Sequence, residues 1–213
     1  MNIDQFDRCK TAMLFFDLLN SFIHGGDDSA KAKKMPMVHN AVRLMKTCRN
    51  AAIPIFFASA SHHPSGSTAS NLITDSDTSL KPWPDGVVAW RKPHTIQGDW
   101  GSQVIAELEP QPEDYYIPKC RYSAFYQTYL DLALRTRGID TLIISGGSTD
   151  VGVCATVFAG RDHDYNLIVA RDACATSHDP RSHDTLMDLV FPRMARVRNT
   201  EQILAMIQTV AKA

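Results

Sequence analysis

Four short apolar runs constrain this chain more than any other feature of its sequence. They are TAMLFF (11–16), IPIFFASA (53–60), TLIISGG (141–147) and NLIVARD (166–172). Each is short for a buried helix and lacks the alternation of a half-solvated strand. Each therefore predicts a parallel strand covered on both faces. DYYIPK (114–119) adds a strand ending at Lys119, and RMARVRN (193–199) allows a sixth, short one. Helical patterns lie between them. Val38, Ala41, Val42, Met45 and Cys48 form a stripe that predicts a helix over 37–52, with Pro36 in its first turn. Further helices are expected within 98–110, over 127–138 with Gly138 as its C-cap, over about 150–162, over 181–191, and after Thr200 as N-cap. NSFIHGGDDSAKAKK (20–34) reads as a loop, and residues 61–95 as a long, irregular, site-forming loop. Strands alternate with helices and no repeat occurs. The expected fold is α/β: a doubly wound, Rossmann-like parallel sheet of about six strands with helices on both faces, a three-layer α/β/α domain over 1–213.

A chain of 213 residues can bury a core of that kind. Its 22 Lys and Arg nearly balance 23 Asp and Glu, for a net charge of −1. No Lys/Arg stripe marks a surface for nucleic acid or for an anionic membrane. The five cysteines, Cys9, Cys48, Cys120, Cys154 and Cys174, are odd in number and contain no C-x-x-C. That predicts free thiols in a reducing compartment rather than a disulfide framework, a zinc ribbon or a thioredoxin site. The opening MNIDQFDRCK is polar, and no apolar run reaches membrane-spanning length, so a cytoplasmic protein is expected.

In open parallel sheets, ligands bind beyond the carboxyl ends of the strands. Asp17 follows the first strand, Lys119 ends the third, and the turn GGSTDVG (146–152) follows the fourth. A carboxylate, an ammonium and a helix N-terminus are thus predicted to converge.

At these residues the chain resembles the isochorismatase-like hydrolase superfamily over roughly 10–207. LFFDLLNSFI, KCRYSAFYQT, RGIDTLIISGGSTDVGV and IVARDACATSHD carry the likeness in order and spacing. The resemblance implies Asp17 as catalytic acid or base, Lys119 as its electrostatic partner, and Phe22 as the aromatic of the first motif. It implies Trp100 and Tyr122 at the substrate, and a turn of Gly147, Ser148 and Thr149 with a cis peptide at Gly147–Ser148. Cysteine hydrolases of the superfamily have G-x-x-T-x-x-C-V-x-x-T at this elbow. Here Thr149, Val153 and Thr156 stay in register, so Gly152 stands at the nucleophile position and Cys154 comes two residues late. On a helix that offset is about 200°, which turns Cys154 away. The glycine and RYSAF resemble true isochorismatases. Ala60 and Leu19 depart from them where glutamines are usual.

Three functions follow as expectations. The first is a thiol-independent hydrolase acting on a small carboxylate, enol-ether or amide-type metabolite. In it Asp17 moves the proton, Lys119 holds charge, and the small Gly152 leaves room for substrate or water. The second is a cysteine amidohydrolase of the nicotinamidase or ureidoacrylate hydrolase type, using Cys154 as nucleophile. The third is a binding protein of the same fold that has lost catalysis. SASHHPS lacks the Asp that would complete the metal site of nicotinamidases, so neither a metal nor a cofactor is expected. His62 and His63 could bind substrate, and Arg91 could pair with a substrate carboxylate. The resemblance also implies a homo-oligomer, a dimer or tetramer.

Overall fold

The computed structural model of the chain describes residues 4–70, 95–176 and 179–209. Six strands form one sheet: β1 Thr11–Phe16, β2 Ile55–Ala60, β3 Tyr115–Lys119, β4 Thr141–Gly147, β5 Asn166–Ala175 and β6 Arg196–Arg198. All pair in parallel, in the order β3-β2-β1-β4-β5-β6. The order reverses at β1, between β2 and β4. That is the switch point where such sheets open a crevice at their carboxyl edge.

The helices are α1 Asn20–Ile23, α2 Asp28–Asn50, α3 Leu130–Thr136, α4 Cys154–Asp162, α5 Pro180–Thr185 and α6 Thr200–Thr209. Strand β1 is buried on both faces, and its alternate residues enter two separate cores. Met13 and Phe15 pack with Val38, Ala41, Met45 and Ile203 of α2 and α6, whereas Ala12, Leu14 and Phe16 pack with Leu130, Leu134, Val153 and Val157 on the α3 and α4 side. The expected three-layer fold is therefore present.

The elements differ from the sequence expectations at instructive places. α2 begins at Asp28 and carries Pro36 inside it, not in its first turn. Residues 28–36 are mostly exposed, so they show no apolar stripe. The Asp27 side chain caps the helix by accepting from the Ala30 N–H, and Ala and Lys sustain it. Val42 lies only partly buried, while Leu44 takes its place in the core. α3 is shorter than predicted and ends as expected at Gly138, whose φ is +67°. Residues 98–110 hold two single 3₁₀ turns, Trp100–Ser102 and Ala106–Leu108, in place of a helix. The expected helix over 181–191 is α5 followed by a wide turn, Leu186–Val190, and a 3₁₀ turn. The last helix is capped by Asn199, which accepts from the Gln202 N–H at 2.9 Å, rather than by Thr200. Thr200 instead gives its N–H and hydroxyl to Asp172. Of the long loop, 61–70 and 95 are described; the rest, including Arg91, lies outside the described residues.

Candidate active site

The chain leaves β1 through Asp17, whose φ of +49° lies in the left-handed region that Asp tolerates better than most residues. This turns the carboxylate sideways, across the ends of β2 and β3. Oδ1 accepts the Ala60 N–H at 2.7 Å, and Oδ2 accepts Lys119 Nζ at 2.7 Å. The Lys119 side chain is 4% exposed and that of Asp17 11%. The lysine ammonium also lies 4.2 Å from the centroid of the Phe16 ring. Two of the three features predicted to converge are thus in direct contact. Burial pushes the Asp17 carboxyl above its usual range, and the Lys119 charge and hydrogen bonds oppose this without cancelling it.

Ala60 contributes its backbone amide, not its side chain, to this carboxylate. His62 lies two residues beyond and is partly buried, while His63 is exposed. The His62 imidazole feels the charges of Arg121, Lys119 and Asp17, and burial holds its pKa below the ordinary histidine value. His62 N donates to Thr95 O, and Gln97 N to His62 O, so the returning chain is pinned beside the pair. The two adjacent histidines thus differ in exposure, although both reach Thr68 Oγ1, His62 through its ring and His63 through its backbone N–H.

On the other side of β1, the elbow follows β4. Gly146 pairs with Phe16, and a Cβ there would fall well inside 3.0 Å of the Phe16 carbonyl oxygen, so only glycine lets the two strands approach. The Gly147–Ser148 peptide is cis. Thr149–Val153 forms one wide π-type turn before α4. Ser148 Oγ donates to Asp150 Oδ1, Thr176 Oγ1 donates to the same oxygen at 2.9 Å, and Ser182 Oγ donates to Oδ2 at 2.8 Å. Thr149 is buried, with its hydroxyl 2.9 Å from His183 Nδ1. Thr156 Oγ1 donates to Gly152 O at 2.8 Å and accepts the Ala124 N–H at 3.0 Å, tying the elbow to the segment after Lys119.

Gly152 does not leave open space. A Cβ built on it would lie well inside 3.0 Å of both Cε1 and Cζ of Phe16. The Phe16 ring is 1% exposed and fills the volume that the sequence suggested for substrate or water. Nothing in the one-dimensional pattern marks this, because Phe16 reads as one more apolar residue of β1. Cys154 is partly buried at the margin of the α3–α4 core. Burial, and then the Asp150 carboxylate, push its thiol above the ordinary range.

The remaining predicted residues take varied places. Phe22 lies on α1, partly buried, immediately after the β1 exit. Trp100 comes from far along the chain to the same short helix, its carbonyl accepting from Asn20 Nδ2 at 3.0 Å, but the residue is 59% exposed. Tyr122 is likewise exposed. Among the described residues no cluster of three or more His, Cys, Asp and Glu side chains gathers, and no helix is long and apolar enough to cross a membrane.

The isochorismatase domain, as a family model, matches residues 11–202. The uncharacterized isochorismatase family protein YecD of Escherichia coli O157:H7 is 30% identical over 196 residues, covering 91% of this chain and 94% of that protein. Ureidoacrylate amidohydrolase RutB of Pseudomonas savastanoi pv. phaseolicola (strain 1448A / Race 6) is 26% identical over 224 residues, covering 94% and 81%. The N-carbamoylsarcosine amidase structure from Thermoplasma acidophilum aligns at a TM-score of 0.69 and 31% identity, covering 90% of this chain and 97% of that one. An isochorismatase family protein from Burkholderia thailandensis shares the fold at a TM-score of 0.79 and 23% identity, covering 96% and 98%. The family model spans all six strands, and the Asp17 and Lys119 motifs fall inside it: this chain belongs to the isochorismatase family of hydrolases.

Proposed function

We propose that this hydrolase cleaves a small enol-ether carboxylate by proton transfer, with no covalent enzyme intermediate. The observation that carries the reading is the buried Asp17–Lys119 pair beside an elbow with glycine at position 152. Asp17, as the acid, gives its proton to the terminal carbon of the enol ether. An aspartic acid at its reference pKa of about 3.9 would be ionised at neutral pH and could not do so. The upward direction at Asp17 is the one this role needs. Protonation leaves an oxocarbenium carbon, which water attacks. The water's proton returns to the Asp17 carboxylate. The hemiketal then breaks its C–O bond, its hydroxyl proton passes to the departing oxygen, and a 2-keto acid and an alcohol result. Lys119 supplies a fixed positive charge for the substrate carboxylate, in a site where low solvent exposure makes that charge count.

An amide or ureide substrate is the second class that the relatives' names suggest. Thiol catalysis of that kind would need a depressed thiol pKa, and Cys154 has the opposite. The test sets enolpyruvyl ethers against amides and ureides. Asp17→Asn should lower turnover by orders of magnitude, while Cys154→Ala retains most of it. An inactive but folded Cys154→Ala protein overturns the reading. Absence of turnover on every class, with ligand binding indifferent to Asp17→Asn, would point to the binding protein instead.

A further inference from the structure

Phe16 immediately precedes the catalytic candidate Asp17, yet its side chain serves the neighbouring elbow. Residues 12, 14 and 16 of β1 face α3 and α4, so the last of them arrives beneath the turn that starts α4. There the ring meets two groups. Its edge, Cε1 and Cζ, takes the place of any Cβ at residue 152. Its face lies under the Lys119 ammonium, 4.2 Å from the centroid. The ring is sealed in the core, and Val153 and Val157 close the same cluster, so it has no solvent to swing into. Gly152 and Phe16 are therefore one packing unit: the absence of a side chain at 152 is what the ring requires.

We infer that Phe16 is the specificity-determining residue that sets the reaction class of this site. The inference rests on the thiol-free reading above, and it adds the reason for that reading. The ring occupies the space of a residue-152 nucleophile, so restoring a cysteine there does not restore covalent catalysis. By lying against the ammonium, the ring also positions Lys119 on Asp17 rather than toward the elbow. Phe16 acts through Lys119 and through exclusion, and is a positioning residue rather than a catalytic one.

The test is a double substitution cycle at 16 and 152, read by thermal melting and by thiol labelling. Gly152→Cys and Gly152→Ala alone should each lower Tm, because a buried ring must move. In a Phe16→Val background the same substitutions should raise Tm relative to Phe16→Val, since the new side chain fills the vacated space. The cysteine introduced with Phe16→Val should react with iodoacetamide at pH 6 several-fold faster than Cys154 in the same molecule. Asp17→Asn added to that variant should remove the advantage, a dependence that simple core filling would not produce. Gly152→Cys that melts like the unaltered protein and labels as fast as in the Phe16→Val background overturns the inference. So does a Phe16→Val background in which Gly152→Ala still lowers Tm, which keeps the test decisive if the cysteine variants fail to fold. None of these readouts depends on turnover, so this inference can fail while the enol-ether reading stands, and an inactive Cys154→Ala protein would sink that reading without touching this result.

Discussion

Two aspartates stand at the carboxyl edge of the same sheet, one on each side of the switch point, and their surroundings drive them apart. Asp17 is buried deeply with one ammonium and one backbone amide as partners. Burial dominates, and its pKa rises. Asp150, at the elbow, also loses water, which by itself would raise its pKa. Hydroxyls of Ser148, Ser182 and Thr176 all donate to it, and together they outweigh burial and lower its pKa. The lesson is that proximity to the site does not make a carboxylate reactive. A carboxylate with its acceptor sites filled by donors is pinned in its ionised form, whereas a desolvated one with few partners keeps a proton within reach. The first arrangement builds the turn, and the second suits acid–base work.

The largest expected effect separates them by chemistry. Asp17→Asn should lower kcat by about 10²- to 10⁴-fold, the usual contribution of a positioned acid. Asp150→Asn should leave kcat within a few-fold in steady-state assays. Equal losses would break the comparison.

Stability should respond at both residues in different ways. Asp150→Ala removes the shared acceptor of three hydroxyls and should cost about 2 kcal/mol in denaturant unfolding. Lys119→Met takes the ammonium from the Asp17 carboxyl and should cost about 3 kcal/mol at pH values above the folded Asp17 pKa, where the carboxyl is ionised. The second loss should shrink on acidification, because a protonated Asp17 no longer needs the partner.

The pH dependence has opposite signs. Asp17 has a raised pKa, so its contribution to stability is fully present below the unfolded value of about 3.9 and is lost as pH rises through the folded pKa. Turnover by the acid form should fall over the same rise. Asp150 has a lowered pKa, so its contribution is present above the unfolded value and is lost as pH falls through the folded one. Carboxyl carbon NMR titration of the two residues measures both directions. A lowered Asp17 or a raised Asp150 would reverse the assignment.

The smallest effect is a ranking of thiols. With iodoacetamide at neutral pH, exposed Cys9 should label first. Cys154 should lag behind it, held up by burial and by Asp150. Cys48 and Cys174, both pushed up to about 12 by burial, should label last. Peptide mass spectrometry gives the order. Cys154 ahead of Cys9 would show that the elbow carboxylate does not govern its neighbour.

By itself the sequence determined the alternation of strands and helices, the ends of β1 and β4, and the meeting of Asp17 with Lys119. These follow from short apolar runs and from the rule that an open parallel sheet binds at its carboxyl edge, both of which are local or topological regularities. It also led to the expectation that Gly152 stands at the family's nucleophile position, a reading that needs only register. Tertiary structure alone decided the rest. The start of α2 escaped the pattern because its first turns face solvent and carry no stripe. The clamp on Asp150 joins the neighbouring Ser148 to Thr176 and Ser182, 26 and 32 residues further along the chain, which arrive only when β4, β5 and α5 pack together. The use of the space at Gly152 was decided by a ring 136 positions earlier in the numbering, from 16 to 152. Periodicity tells which face of a strand is buried, but not which volume a buried ring will fill. That is settled by close packing between elements, where a single Cβ is enough to choose between two side chains.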